Sequence, residues 1–142
     1  MVKTKKADYL NNILRFLYES ANGYDVCMES TNDNNLKPLF AYLNQQRLQM
    51  IDEIRHEVET LGGQSEEADS LISNTNKWYK ELKNKGMNGD LLIFIAIIKR
   101  GENLLLDHYR EALRQEFSEN ARILLLSHLE QIEDELKHIE TK

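Results

Sequence analysis

One pattern recurs four times along the chain and fixes its class: apolar residues stepping by fours and threes. In the first segment Leu10, Leu14, Leu17, Ala21, Tyr24 and Met28 form one stripe of a long helix. A second stripe runs through Leu43, Arg47, Met50, Ile54, Val58 and Leu61. A third carries Leu91, Ile95, Ile98, Glu102, Leu105, Tyr109 and Ala112, and a fourth Leu125, Leu129, Ile132, Leu136 and Ile139. The run LLIFIAII in the third has the β-branched content of a buried strand. Its stepping continues unbroken through Tyr109, however, which makes it helix. Nothing alternates in the manner of a strand hairpin.

The breaks between stripes are equally legible. Ser30-Thr31-Asn32-Asp33-Asn34-Asn35 is a run of turn and N-cap residues. Pro38 falls in the first turn of the next helix, where a missing N–H does little harm. Gly62-Gly63 stops that helix, and Ser118 opens the last one as an N-cap. Helices are expected over about 6–29, 36–61, 90–116 and 119–140, in a single domain spanning 1–142. Between the two hairpins lies a polar stretch, Gln64 to Gly89, whose middle, about 68–84, reads as a weaker helix around Leu71, Ile72, Trp78, Tyr79 and Leu82. Short turns make antiparallel neighbours, while one long central connection marks a crossover. An up-down-up-down bundle would not need the extra residues. The expectation is an all-α, ferritin-like antiparallel four-helix bundle of two helical hairpins, its crossover connection containing an extra helix.

Composition narrows the partners. The 142 residues carry a net charge of −6, with 41% hydrophobic and 30% charged residues and one proline. That is an ordinary globular composition, and the negative balance argues against nucleic acid or anionic lipid. The basic cluster Lys3, Lys5 and Lys6 reads as a solvated tail. Cys27 is the single cysteine, which excludes a disulfide framework within the chain and fits a reducing compartment. MVKTKKADYL leads straight into an amphipathic helix, without the apolar region of a signal peptide. Leu91–Ile98 is too short to span a bilayer. The cytoplasm is the expected setting, with no nucleic acid or membrane partner.

Two motifs invite a metal. Glu53-x-x-His56 and Glu135-x-x-His138 each place a carboxylate and an imidazole on one helix face, and such pairs are half the ligand set of a di-iron carboxylate bundle. Helix rise separates them. Glu53 lies about twenty residues past the first turn and Glu135 about seventeen past the last. With a crossover the two turns sit at opposite ends, so the motifs stand roughly 15 Å apart along the axis. Metals of a two-metal site lie only about 4 Å apart. Both motifs also flank their apolar stripes, where charged side chains cover a seam and reach water.

Glu102 is different, because it sits within a stripe, and a buried carboxylate needs a partner. Its level along the bundle matches Ala21, Gln46 and Arg47, and Asp134–Glu135. Arg47 is also on its own stripe, and a guanidinium fork suits a buried carboxylate while repelling a metal. Glu102 is therefore expected to be held by Arg47, with Tyr24, Gln46 or Tyr109 completing the hydrogen bonds. His108 and His128, each about ten residues from the last turn, approach one another as hydrogen-bonded boundary groups. No Ser/His/Asp or Cys/His pattern offers a nucleophile, and Gly62-Gly63 lacks the strand, lysine and Ser/Thr of a phosphate loop.

The chain resembles a family of bacterial ferritin-like four-helix-bundle proteins of unassigned function. The resemblance is carried by Gly23-Tyr24, Leu39-Phe40, Gln46-Arg47 and Leu61-Gly62-Gly63, then by Arg100-Gly101-Glu102 and Tyr109-Arg110-Glu111-Ala112-Leu113. It implies the crossover bundle, a cytoplasmic setting and no established activity. Family members commonly place an acidic residue two before the Gly-Tyr pair and three before the Glu of Arg-Gly-Glu; this sequence has Ala21 and Lys99 there.

Two functions compete on these grounds. The first is a non-catalytic bundle without cofactor that acts by association, as a homodimer through the nearly all-round apolar start of the third core helix. The alternative is a di-iron or single-metal oxidase or peroxidase, with Glu102, Glu135 and His138 as iron ligands. A carrier of a small apolar ligand has no distinguishing spacing.

Overall fold

The computed structural model describes residues 2–64 and 91–140. Over these the chain forms four helices and no strand: α1 (Val2–Ser30), α2 (Leu36–Thr60), α3 (Leu91–Leu113) and α4 (Glu119–Glu140). The extra helix expected at about 68–84 lies outside the described residues.

Local chemistry sets the helix ends. Asp33 Oδ1 accepts from the backbone N–H groups of Asn35 and Leu36, at 2.7 and 3.1 Å, and occupies two donors that the first turn of α2 would otherwise leave open. At the other end Gly62 adopts φ +80°. Its N–H donates to the Glu59 carbonyl and that of Gly63 to the Val58 carbonyl, the paired bonds of a Schellman stop. Gly63 is needed for a second reason: a Cβ there would meet the Ala7 Cβ at 2.7 Å. The Ser118 hydroxyl accepts from the Ala121 N–H at 3.2 Å and starts α4.

Helix directions follow from paired residues. Asn44 bonds the Ala21 carbonyl, Arg55 the Tyr18 hydroxyl, and Gly63 touches Ala7, so α2 runs against α1. Tyr24 meets Glu102 and Phe16 stacks on His108, so α3 also runs against α1 and therefore with α2. Arg110 pairs with Glu133, and Arg122 bonds the Leu113 carbonyl, which makes α4 antiparallel to α3. The end of α2 and the start of α3 thus lie at opposite ends of the bundle.

Two apolar clusters fill the interior. The larger joins α1 from Ala7 to Ala21, α2 from Met50 to Val58, α3 from Leu105 to Ala112 and α4 from Leu125 to Leu136. The smaller, at the other end, gathers Tyr24, Cys27, Phe40, Leu43, Phe94, Ile97, Ile98 and Ile139. The first turns of α3 are rotated from the expected stripe. Phe94 and Ile97 join Ile98 inside, while Ile95 is only half-buried. Between the two clusters sits a layer of polar side chains.

Candidate functional site: a buried arginine–carboxylate cluster

Arg47 comes from the middle of α2, where its place in the apolar stripe turns it inward; it is fully buried. The guanidinium divides its donors among three helices. Nη2 lies 2.7 Å from Glu102 Oε2 on α3, and Nη1 lies 2.7 Å from Glu135 Oε1 on α4. Nε donates to Ser20 Oγ on α1 at 3.1 Å and to Glu102 Oε2 at 3.2 Å. From α1, the Tyr24 hydroxyl donates to Glu102 Oε2 at 3.0 Å, and its ring lies under the guanidinium, 5.6 Å from centroid to Cζ. Such a stacked, forked geometry is peculiar to arginine.

The electrostatics follow from this placement. Burial alone lowers the pKa of Arg47. The carboxylates of Glu102 and Glu135 and the Tyr24 hydroxyl more than reverse that, holding it above its usual value. Arg47 therefore stays charged. Burial and then the neighbouring Glu102 push the Tyr24 phenol well up, so it remains a donor. The cluster is nevertheless uneven: one guanidinium faces two carboxylates, both at most 8% exposed. Glu102 Oε1 has no hydrogen-bond partner among the described residues.

The sequence-based candidates separate into two layers. Arg47, Glu102 and Tyr24 come together directly. Gln46 does not reach Glu102; its Oε1 accepts from Gln131 Nε2 at 2.8 Å, and the same amide donates to Glu135 Oε2 at 3.1 Å. Tyr109 does not bond Glu102 either. It lies one layer further along, its hydroxyl 2.7 Å from His128 Nδ1, while His128 Nε2 lies 2.9 Å from Glu53 Oε1. A carboxylate only accepts, so Nε2 carries the proton and Nδ1 takes the Tyr109 O–H. Burial lowers the His128 pKa, opposed by Glu53, and the imidazole is neutral at pH 7.

These bonds revise three expectations. His108 and His128 do not pair: His108 stacks on Phe16 with centroids 4.4 Å apart, and His128 is buried rather than at a boundary. Glu135 does not turn to water from the edge of its stripe but is a full member of the cluster. Glu53 is tied to buried His128. The signal for Glu135 was its level with Glu102. For His128 it was the three-residue offset from Leu125, which places it on the inward edge of α4.

A metal fits this donor set poorly. Both candidate carboxylates already hold Arg47, whose charge opposes a second cation. His138 is exposed, its Nδ1 against the Asp134 carbonyl at 2.9 Å. Among the described residues no group of three or more His, Cys, Asp or Glu side chains is placed to hold a metal ion.

The fold and cluster define an all-helical four-helix bundle pinned by an internal arginine. The chain belongs to the family described as domain of unknown function (DUF2383), which matches residues 5–115. That span covers α1 from residue 5, all of α2 and α3, and with them Arg47 and Glu102; Glu135 and His128 lie beyond it. Comparison with curated proteins returns no match.

Proposed function

We propose that the protein is a non-catalytic, ferritin-like bundle that works by association, in the bacterial cytoplasm, with Arg47 serving as the internal cation of the bundle in place of a metal. The observation that carries this reading is the guanidinium itself. It is buried, kept charged by its neighbours and bonded to carboxylates from two further helices. The parallel run of α2 and α3 supports a ferritin-like crossover through residues 65–90. The single buried Cys27 thiol, whose pKa burial pushes up, is suited to a reducing compartment. No helix among the described residues is long and apolar enough to cross a membrane.

The surface for self-association is the outer face of α3. Leu92 is 76% exposed, with Ile93 and Leu104 also open and Ala96 between them. Leu92, Ile93 and Ala96 make an apolar patch over the first turns of α3, with Leu104 further along beyond Arg100 and Asn103. Such a patch favours burial against a second copy, and closed two-fold pairs are the commonest assemblies. Light scattering coupled to size exclusion should give twice the 16.7 kDa chain mass. A Leu92→Lys/Leu104→Lys double variant should run as a folded monomer. A wild-type monomer at 0.5 mM (on the order of the highest practical concentration, far above the Kd of a stable dimer) removes the homodimer.

A further inference from the structure

The backbones of α2 and α4 stand farther apart than those of the other three adjacent helix pairs. Long polar side chains bridge the gap, and a half-enclosed cavity of about 350 Å³ opens beside the bridge, lined by Leu39, Tyr42, Leu43, Asp134, Glu135 and His138. That volume lies at the lower end of the range of small-molecule sites, roughly 300–1,000 Å³.

We propose that this cavity binds a small organic cation, an alkyl- or arylammonium compound. Its ammonium group would meet Glu135 and Asp134, and its apolar body would lie against Leu39, Leu43 and the Tyr42 ring. The walls match that chemistry in two halves. Leu39, Tyr42 and Leu43 come from one side of a little more than one turn of α2 and give an apolar, aromatic side; Asp134 and Glu135 give an anionic one. Tyr42 is 51% exposed and its hydroxyl hydrogen-bonds Glu135, which sets the ring beside the carboxylate that would meet the cation.

A second observation concerns what stands behind Glu135 in the lining. Glu135 is 8% exposed and shares the single charge of Arg47 with Glu102, whose Oε1 is buried without a partner among the described residues. A buried cluster with one cation and two carboxylates carries an excess negative charge, which a further positive group at the Glu135 mouth offsets. Glu135 accepts from Arg47, Gln131 and the Tyr42 hydroxyl, and a carboxylate's two oxygens take about four donors, which leaves one place for an ammonium N–H at the cavity side. Anions are repelled from such a site. A metal ion gains little from a pocket half lined by leucine and tyrosine carbon.

The test is a titration of the full isotope-labelled chain with benzylammonium, followed by amide chemical shifts, with benzyl alcohol and benzoate as matched probes. Saturable shifts at Leu39, Tyr42, Leu43, Asp134 and Glu135 are expected for benzylammonium alone, weakening as salt rises. Glu135→Gln should weaken binding at least tenfold, and Asp134→Asn and Tyr42→Ala several-fold. Glu57→Gln, in the separate cleft with Asp52, Glu53 and His56, should leave it unchanged. Since Glu135→Gln also removes a bond of the Arg47 cluster, the two rim variants carry the result if that protein does not fold. Absence of saturable binding, equal binding of benzyl alcohol, or unchanged affinity in both rim variants overturns the proposal.

Discussion

Between α1 and α3, apart from the Tyr24–Glu102 bond, the contact is made of close-packed carbon: Leu10, Leu14 and Leu17 share one cluster with Leu105, Leu106 and Ala112, and Phe16 stacks on His108. Between α2 and α4 the backbones stand off, and the span is filled by Arg47–Glu135, Gln46–Gln131 and Glu53–His128. The first contact is non-directional and depends on volume. The second is directional and depends on every partner remaining present, because a buried polar group left alone bears its full desolvation cost. One bundle thus holds its two sides by different physics, and among the described residues two clefts, at Glu53–His56 and at Glu135–His138, open on the polar side.

The largest effect expected from breaking this contrast is at Arg47. Arg47→Met strands two buried carboxylates and should lower stability by about 3–5 kcal/mol in urea unfolding. The Arg47→Met/Glu102→Leu/Glu135→Leu triple variant removes all three charges and should recover most of that loss. If the triple variant is no more stable than the single one, the cluster is not the penalty-bearing element of the seam.

On the apolar side, Leu14→Ala deletes a fully buried side chain and should cost about 3 kcal/mol, transfer and cavity terms together. No compensating substitution on a neighbouring helix should restore it without restoring volume. A loss well below about 1 kcal/mol would show that the α1–α3 contact collapses more readily than its packing implies.

The smallest effect distinguishes the sides by pH. The folded-state pKa of His128 is lowered by burial, so the fold favours the neutral imidazole. Its contribution is full above the unfolded value of about 6.5 and is lost as pH falls below that toward the folded value. Stability should therefore drop between pH 7 and pH 5, by less in His128→Asn than in the wild type. Half-buried His108 shifts in the same direction, so His108→Asn apportions the remainder. An unchanged slope in His128→Asn would remove the Tyr109–His128–Glu53 chain from any pH response.

The difference between the sides also decides what sequence could reveal. Stepped apolar residues marked an all-helical bundle, because a buried stripe must repeat at the helical period wherever it packs on carbon. Glu102 and Arg47 stood out for the inverse reason, as charges inside such stripes. The partners of Gln46, Tyr109 and His128 were not legible. Each lies at a stripe edge, where the choice among Glu102, Gln131 and Glu53 turns on rotation and spacing of helices far apart in the chain. The rotation of the first turns of α3 was hidden too, since a segment apolar on every side gives no phase.

The most direct test of Arg47 as the internal cation is metal content, measured by elemental analysis on protein purified without chelator and then exposed to iron(II) and oxygen. The expected result is substoichiometric metal in the wild type and no ferric absorption band. One or two irons per chain, lost in Glu102→Gln while the unfolding midpoint holds, would contradict it and place a metal where the guanidinium lies.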